Sequence, residues 1–192
     1  MVLMSLTNEQ QQILLTLAKA SITYGLAHGK ALTPSLEDYP DNLLKPAATF
    51  VTLNKQQQLR GCIGMLEAIR LLPIDIAENA YAAAFKDPRF PPLQASELEL
   101  LDIHIAILTP PEPMTFNSES DLIAQLQPGI DGLILSEGFR RSTFLPAVWQ
   151  SLPKPQQFLN HLKQKAGLPA SYWSDTLTIQ RYRTESFPDD MA

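Results

Sequence analysis

Thr49-Phe50-Val51-Thr52-Leu53-Asn54-Lys55-Gln56-Gln57-Gln58-Leu59-Arg60-Gly61-Cys62-Ile63-Gly64 is the stretch on which the fold turns. Residues 49–53 have strand composition, Asn54 to Gln58 is polar and suited to a turn, and Leu59 to Leu66 is strand-like again. This predicts an antiparallel hairpin whose second strand carries the only cysteine of the chain. On a regular strand Arg60, Cys62 and Gly64 would share one face, and Leu59, Gly61, Ile63 and Met65 the other. Glycine inside a strand marks a bulge or the close approach of another group. A thiol near a guanidinium is a candidate thiolate, because the positive charge favours the ionised sulfur. Cys62 and Arg60 are therefore the candidate catalytic pair, with Gly61 and Gly64 as a glycine-lined surface beside them. A small cysteine filling space in a strand stands as the alternative.

Outward from the hairpin, Thr7-Asn8-Glu9-Gln10 predicts a helix start with Thr7 as cap and Gln10 reaching back. Ile13, Leu14, Leu17, Ala18 and Ile22 keep helical spacing up to a stop near Gly29. Pro73 opens a second helix that ends before Asp87-Pro88. Leu101, Ile103, Ile105 and Ile107 alternate with polar or small residues and predict a half-buried strand. Ser120 to Gln127 and Gln156 to Ala166 predict helices. Gly132 to Ser136 with Phe139 to Phe144 predicts a second hairpin, and Leu177 to Thr184 a last single strand. Hairpins grouped between helices predict an α+β protein, a mainly antiparallel sheet with flanking helices, rather than a regular alternation of strand and helix.

The 192 residues, 45% hydrophobic and 18% charged, belong to a globular chain. A net charge of −5 argues against nucleic acid, whose phosphates need clustered Lys and Arg. One cysteine excludes an internal disulfide, and His28, His104 and His161 make no metal-ligand spacing, so no metal and no cofactor are expected. Met1 to Gln12 lacks the pattern of a secretory signal, and no apolar run is long enough to span a bilayer. The expected location is cytoplasmic, away from membranes.

Three further segments carry candidate binding groups. Asp87-Pro88-Arg89-Phe90-Pro91-Pro92 is a rigid turn in which Asp87, Arg89, Phe90 and Pro91 could contact a ligand or simply end a helix. Arg141 and Thr143, alternate residues of a strand, could hold a carboxylate or phosphate, or form a solvated face. Arg181, Arg183 and Glu185 would share a face as a binding edge or a cross-strand ion ladder. A Cys62–His104 pair would have to form in space.

These segments, with Thr143-Phe144-Leu145-Pro146 followed by Val148-Trp149 and with Arg181-Tyr182-Arg183-Thr184-Glu185, occur in one order. In that order the chain resembles the AMME-region (AMMECR-type) protein family, whose prokaryotic members are called AmmeMemoRadiSam system protein A. The resemblance runs from about Leu6 to Phe187. It implies a single domain over 6–187 built from a larger and a smaller subdomain, intimately packed, with the motif residues near their junction. It also implies partners, a Memo-like protein and a radical SAM protein, and an accessory or binding role through a cleft around the hexapeptide. It carries over motif membership for Arg60, Gly61, Cys62, Gly64, Arg89, Phe90, Pro91, Arg141, Thr143, Arg181 and Glu185, but no catalytic role. The alternative function is a thiol-dependent enzyme that uses Cys62 on a small anionic substrate held by Arg60 and Arg141. Whether the chain is an enzyme stays open at this point.

Overall fold

The structure is a computed structural model, and it describes residues 6–188. Residues 1–5, part of the amino-terminal stretch considered above, lie outside the described residues. The chain forms two compact units, one made of the segment up to Leu108 with the segment from Glu185 onward, the other of Thr109–Thr184.

In the first unit, α1 (Asn8–His28) begins with the capping box expected at Thr7 and Gln10 and ends on Gly29, whose φ of 66° suits a residue without Cβ. Its stripe of Leu14, Leu17, Ala18 and Ile22 packs on Ile76, Ala77, Ala80 and Ala84 of α2 (Leu72–Phe85). The alanines let the two helices approach closely. Both helices cover one face of a sheet with order β2-β1-β4-β9, formed by β1 (Pro46–Lys55), β2 (Gln58–Gly64), β4 (Leu101–Leu108) and β9 (Thr184–Phe187). The short β3 (Arg70–Leu71) pairs with the start of β1. Val51, Leu53 and Ile105 face the helices and are fully buried. The β1–β2 turn is tighter than the composition suggests. Only Gln56 and Gln57 turn, both at positive φ (52° and 63°). Asn54 and Lys55 stay in the strand because they pair with Asp102 and Leu101 of β4. Hydrogen bonding, not hydrophobicity, recruits them.

In the second unit a sheet of order β5-β8-β6-β7 is formed by β5 (Glu112–Pro113), β6 (Gly132–Glu137), β7 (Arg140–Phe144) and β8 (Thr178–Tyr182). Helices α3 (Glu119–Gln125) and α4 (Pro155–Lys165) pack with it. Trp149 stacks on Phe158 at 3.8 Å between ring centroids, and its indole N–H donates to the Asp131 carbonyl at 2.8 Å. The pairings β1–β2, β1–β3, β1–β4, β5–β8, β6–β7 and β6–β8 are all antiparallel. With 38% helix and 27% strand in that arrangement, the class is α+β, as the hairpins predict.

The expected last strand is divided. Residues 177–184 are not a single strand, because β8 ends at Tyr182 and β9 starts at Thr184. Between them the Arg183 N–H donates to the Thr109 hydroxyl, and the Arg183 carbonyl accepts from the Thr109 N–H, both at 2.8 Å. Arg183 is thereby spent on a loop residue, and the chain passes from one sheet to the other. Arg181, Arg183 and Glu185 consequently do not share a strand face.

Candidate functional site: a strand edge closed by side chains

β2 is the outer strand of its sheet. An open strand edge leaves backbone donors and acceptors unpaired and invites other chains. Here the Asp87-Arg89 turn closes it. The Asp87 carboxylate accepts the Cys62 N–H at 2.9 Å, and the Arg89 guanidinium donates to the Cys62 carbonyl at 3.3 Å. Two side chains thus supply what a neighbouring strand residue would. They also bind each other, with Arg89 Nε and Nη2 at 2.9 and 2.6 Å from the two oxygens of Asp87. Asp87 is buried, whereas the Arg89 side chain is 54% exposed. The Arg89 hydrogen bonds, aided by the Cys62 N–H and opposed by burial, hold the Asp87 carboxyl well below the usual carboxylate range.

Arg60 is the inserted residue of a β-bulge. The register runs Leu53 to Gly61 and then Asn54 to Leu59, and skips it. The bulge removes Arg60 from the face it was expected to share with Cys62 and Gly64. Its guanidinium donates to Glu97 at 3.0 and 2.9 Å and to the Pro91 carbonyl at 3.0 Å. Arg60 is only 8% exposed. Its Nη1 is buried with no hydrogen-bond partner, and the Phe90 ring centroid lies 5.9 Å from its Cζ. Glu97 also accepts from Lys55 at 2.7 Å and from the Gln94 N–H at 3.0 Å. The Arg60 and Lys55 hydrogen bonds keep it ionised far below its ordinary range. Phe90 faces a second guanidinium too, that of Arg89, at 5.5 Å.

The glycines have separate reasons. A Cβ on Gly61 would stand 2.1 Å from the Ala83 carbonyl oxygen, so Gly61 is what lets α2 lie against β2. A Cβ on Gly64 would meet the Phe50 ring and the Thr49 carbonyl.

Cys62 is a free, half-buried thiol. Its sulfur accepts a hydrogen bond from the Thr52 hydroxyl at 3.3 Å. Thr52 pairs with Cys62 on one side and with His104 on the other, which puts the three residues in one row on the face opposite the helices. The cation that touches Cys62 is Arg89, through the backbone, while the charge of Arg60 goes to Glu97. Behind β1 lies a second network. Fully buried Asp75 accepts from the Thr49 N–H and hydroxyl, from Asn79 and from Arg70, at 2.7–2.9 Å.

The other sequence candidates divide between the units. Arg141, exposed, and Thr143 belong to β7 in the second unit. The Thr143 hydroxyl is occupied by the Leu133 carbonyl and the Tyr182 hydroxyl, both at 2.8 Å, so it is not offered to an anion. Arg181, also in the second unit, lies 3.4 Å from the buried Asp131 and donates to the Gln125 carbonyl at 2.8 Å. Glu185, in the first unit, accepts the Leu6 N–H at 2.7 Å. Sequence reading missed Lys55, Thr52, Asp75 and Glu97. For Glu97 there was a usable signal. Its carboxylate accepts the Gln94 N–H with the same three-residue spacing by which Gln10 accepts the Thr7 N–H. Among the described residues no group of three or more His, Cys, Asp or Glu is placed to hold a metal ion, and no helix is long and apolar enough to cross a membrane.

Fold and site together define an α+β protein of two units in which a glycine-bearing edge strand is locked by an Asp-Pro-Arg-Phe turn. The AMMECR1 family model matches residues 15–187, and the chain belongs to that family. A protein of Methanothermobacter thermautotrophicus is 35% identical to it, over 96% of this chain and 97% of that one. A protein of Thermotoga maritima is 39% identical, over 83% and 88%. The crystal structure of the uncharacterized protein PH0010 of Pyrococcus horikoshii superposes with a TM-score of 0.88 at 32% identity, covering 94% of this chain and 92% of that one.

Proposed function

We propose that the chain is a binding component that acts with a Memo-like protein and a radical SAM protein through the motif surface of the first unit. One observation carries this reading: the charges of the hexapeptide and of the Asp87 turn are already paired with neighbouring side chains. Arg60 is paired with Glu97 and Arg89 with Asp87. A general acid or base needs a group that exchanges its proton near neutrality. Asp87 and Glu97 are held far below that range by their arginines. The result is a stiff display of Arg89 and Phe90, suited to recognition. The experiment is titration of the purified chain with each of the two proteins from the same genome. Binding at tens of micromolar or tighter, weakened by Arg89→Ala, is expected. Absence of binding to both would sink the proposal.

A specific observation favours a second reading, a thiol-dependent enzyme on a small anionic substrate. Thr52 donates to the Cys62 sulfur and the exposed Arg89 guanidinium is anchored on the Cys62 carbonyl. Arg89 then takes the anion-holding part first given to Arg60 and Arg141. Alkylation of Cys62 in the native protein tests it, and a thiol that reacts only after denaturation ends this reading.

A further inference from the structure

The β6–β7 hairpin of the second unit ends in Gly138-Phe139. Gly138 has a φ of 57°, the pattern of a type II′ turn, which requires glycine first and nothing in particular second. Phe139 fills that second position and is 95% exposed, whereas every other phenylalanine of the described residues is buried or half-buried. The turn does not need an aromatic ring there, and the fold buries almost none of it.

The arm that carries the ring is stiff. Leu133, Ile134 and Leu135 of β6 are fully buried. The Glu137 carboxylate accepts hydrogen bonds from Tyr172, Ser174 and Thr176, and the Arg140 guanidinium donates to the Gly167 carbonyl. A ring presented this way loses little freedom on docking. The charge beside it is positive. The Arg140 guanidinium carbon lies 5.8 Å from the Phe139 ring centroid. The one carboxylate of the turn, Glu137, is turned toward hydroxyl groups.

We propose that this tip is a docking knob, and that Phe139 enters an apolar pocket rimmed by carboxylates on a partner protein. Central aromatic anchors dominate binding energy at such contacts. A bilayer fits less well, because one ring on a chain of net charge −5 is too little to hold an anionic membrane. The inference rests on the proposed function for its partners, the Memo-like and radical SAM proteins, and adds a contact that the motif surface does not include.

The test titrates wild type and Phe139→Ser with each protein at low and at physiological salt, and with phosphatidylserine vesicles. Expected are a loss of affinity of about tenfold or more in Phe139→Ser, an affinity that falls as salt rises, and no vesicle binding. Thermal unfolding of the variant should match wild type. Equal binding by Phe139→Ser overturns the knob and leaves the proposed function standing. An affinity indifferent to salt overturns the acidic rim, and vesicle binding lost in Phe139→Ser overturns the protein partner. Wild type that binds neither protein removes the proposed function, and the knob falls with it.

Discussion

Two buried aspartates, one in each unit, are held in different ways. Asp75 in the first unit and Asp131 in the second are both fully buried. Asp75 has both oxygens saturated by Thr49, Asn79 and Arg70. Asp131 uses only Oδ2, for the Gln127 N–H, while its Oδ1 and the Nε of Arg181 lack hydrogen-bond partners. A saturated buried network is rigid and costly to break, because any deletion strands several groups at low dielectric. An unsaturated pair gives back less than its burial takes, and apolar residues of similar size often replace such pairs without loss. The Asp75 site is built around its polar groups. The Asp131 site tolerates its own.

That contrast can be attacked directly, since both tryptophans, Trp149 and Trp173, lie in the second unit, so that their fluorescence reports that unit while circular dichroism reports the two together. The largest effect should come from Asp75→Ala, a loss of roughly 3–5 kcal/mol by urea denaturation. A loss below about 1 kcal/mol would mean that saturation is not what holds the first unit. Next comes Gly61→Ala, expected to cost about 1–3 kcal/mol, since the new methyl meets the backbone carbonyl of Ala83. Gly132→Ala, whose methyl first meets the side-chain ring of Tyr182 and not a backbone group, should cost less, and the reverse order would refute the account of the β2–α2 contact.

Acid gives a smaller effect. The folded carboxyls of Asp87 and Glu97 lie below their unfolded values of roughly 4. As the pH falls, the unfolded chain therefore binds protons first. Their contribution is complete above about pH 5 and is lost as the pH drops through about 4 toward the folded values. Glu97→Gln should flatten this acid limb, and a limb of unchanged slope would show that other carboxyls set it. The smallest effect is expected for Asp131→Leu combined with Arg181→Met, within about 1 kcal/mol of wild type. A loss of several kcal/mol would erase the contrast between the units.

What could be read from the sequence was what local chemistry decides. The capping box of α1, the glycine stop, the proline at the start of α2 and both hairpins depend on neighbours within a few residues, and they are legible. The partner of Arg60 was not. A bulge that depends on pairing with β1 re-aims its side chain, and Glu97 lies 37 residues away. The division of residues 177–184 between two sheets was hidden as well, because Arg183 is diverted by Thr109, a residue from a distant loop. At the candidate site the hexapeptide and the Asp87 turn were both visible, but not that one closes the edge of the other. The backbone groups that join them carry no sequence signature.

The strand order β2-β1-β4-β9 has a consequence for synthesis. β9 closes the sheet of the first unit, its Phe187 is fully buried in that core, and Glu185 holds the Leu6 N–H. All of the second unit up to Arg183 leaves the ribosome before that strand does. The unit that begins first is therefore completed last, and the nascent chain carries an unfinished sheet while the unit encoded later already has every residue it needs to fold.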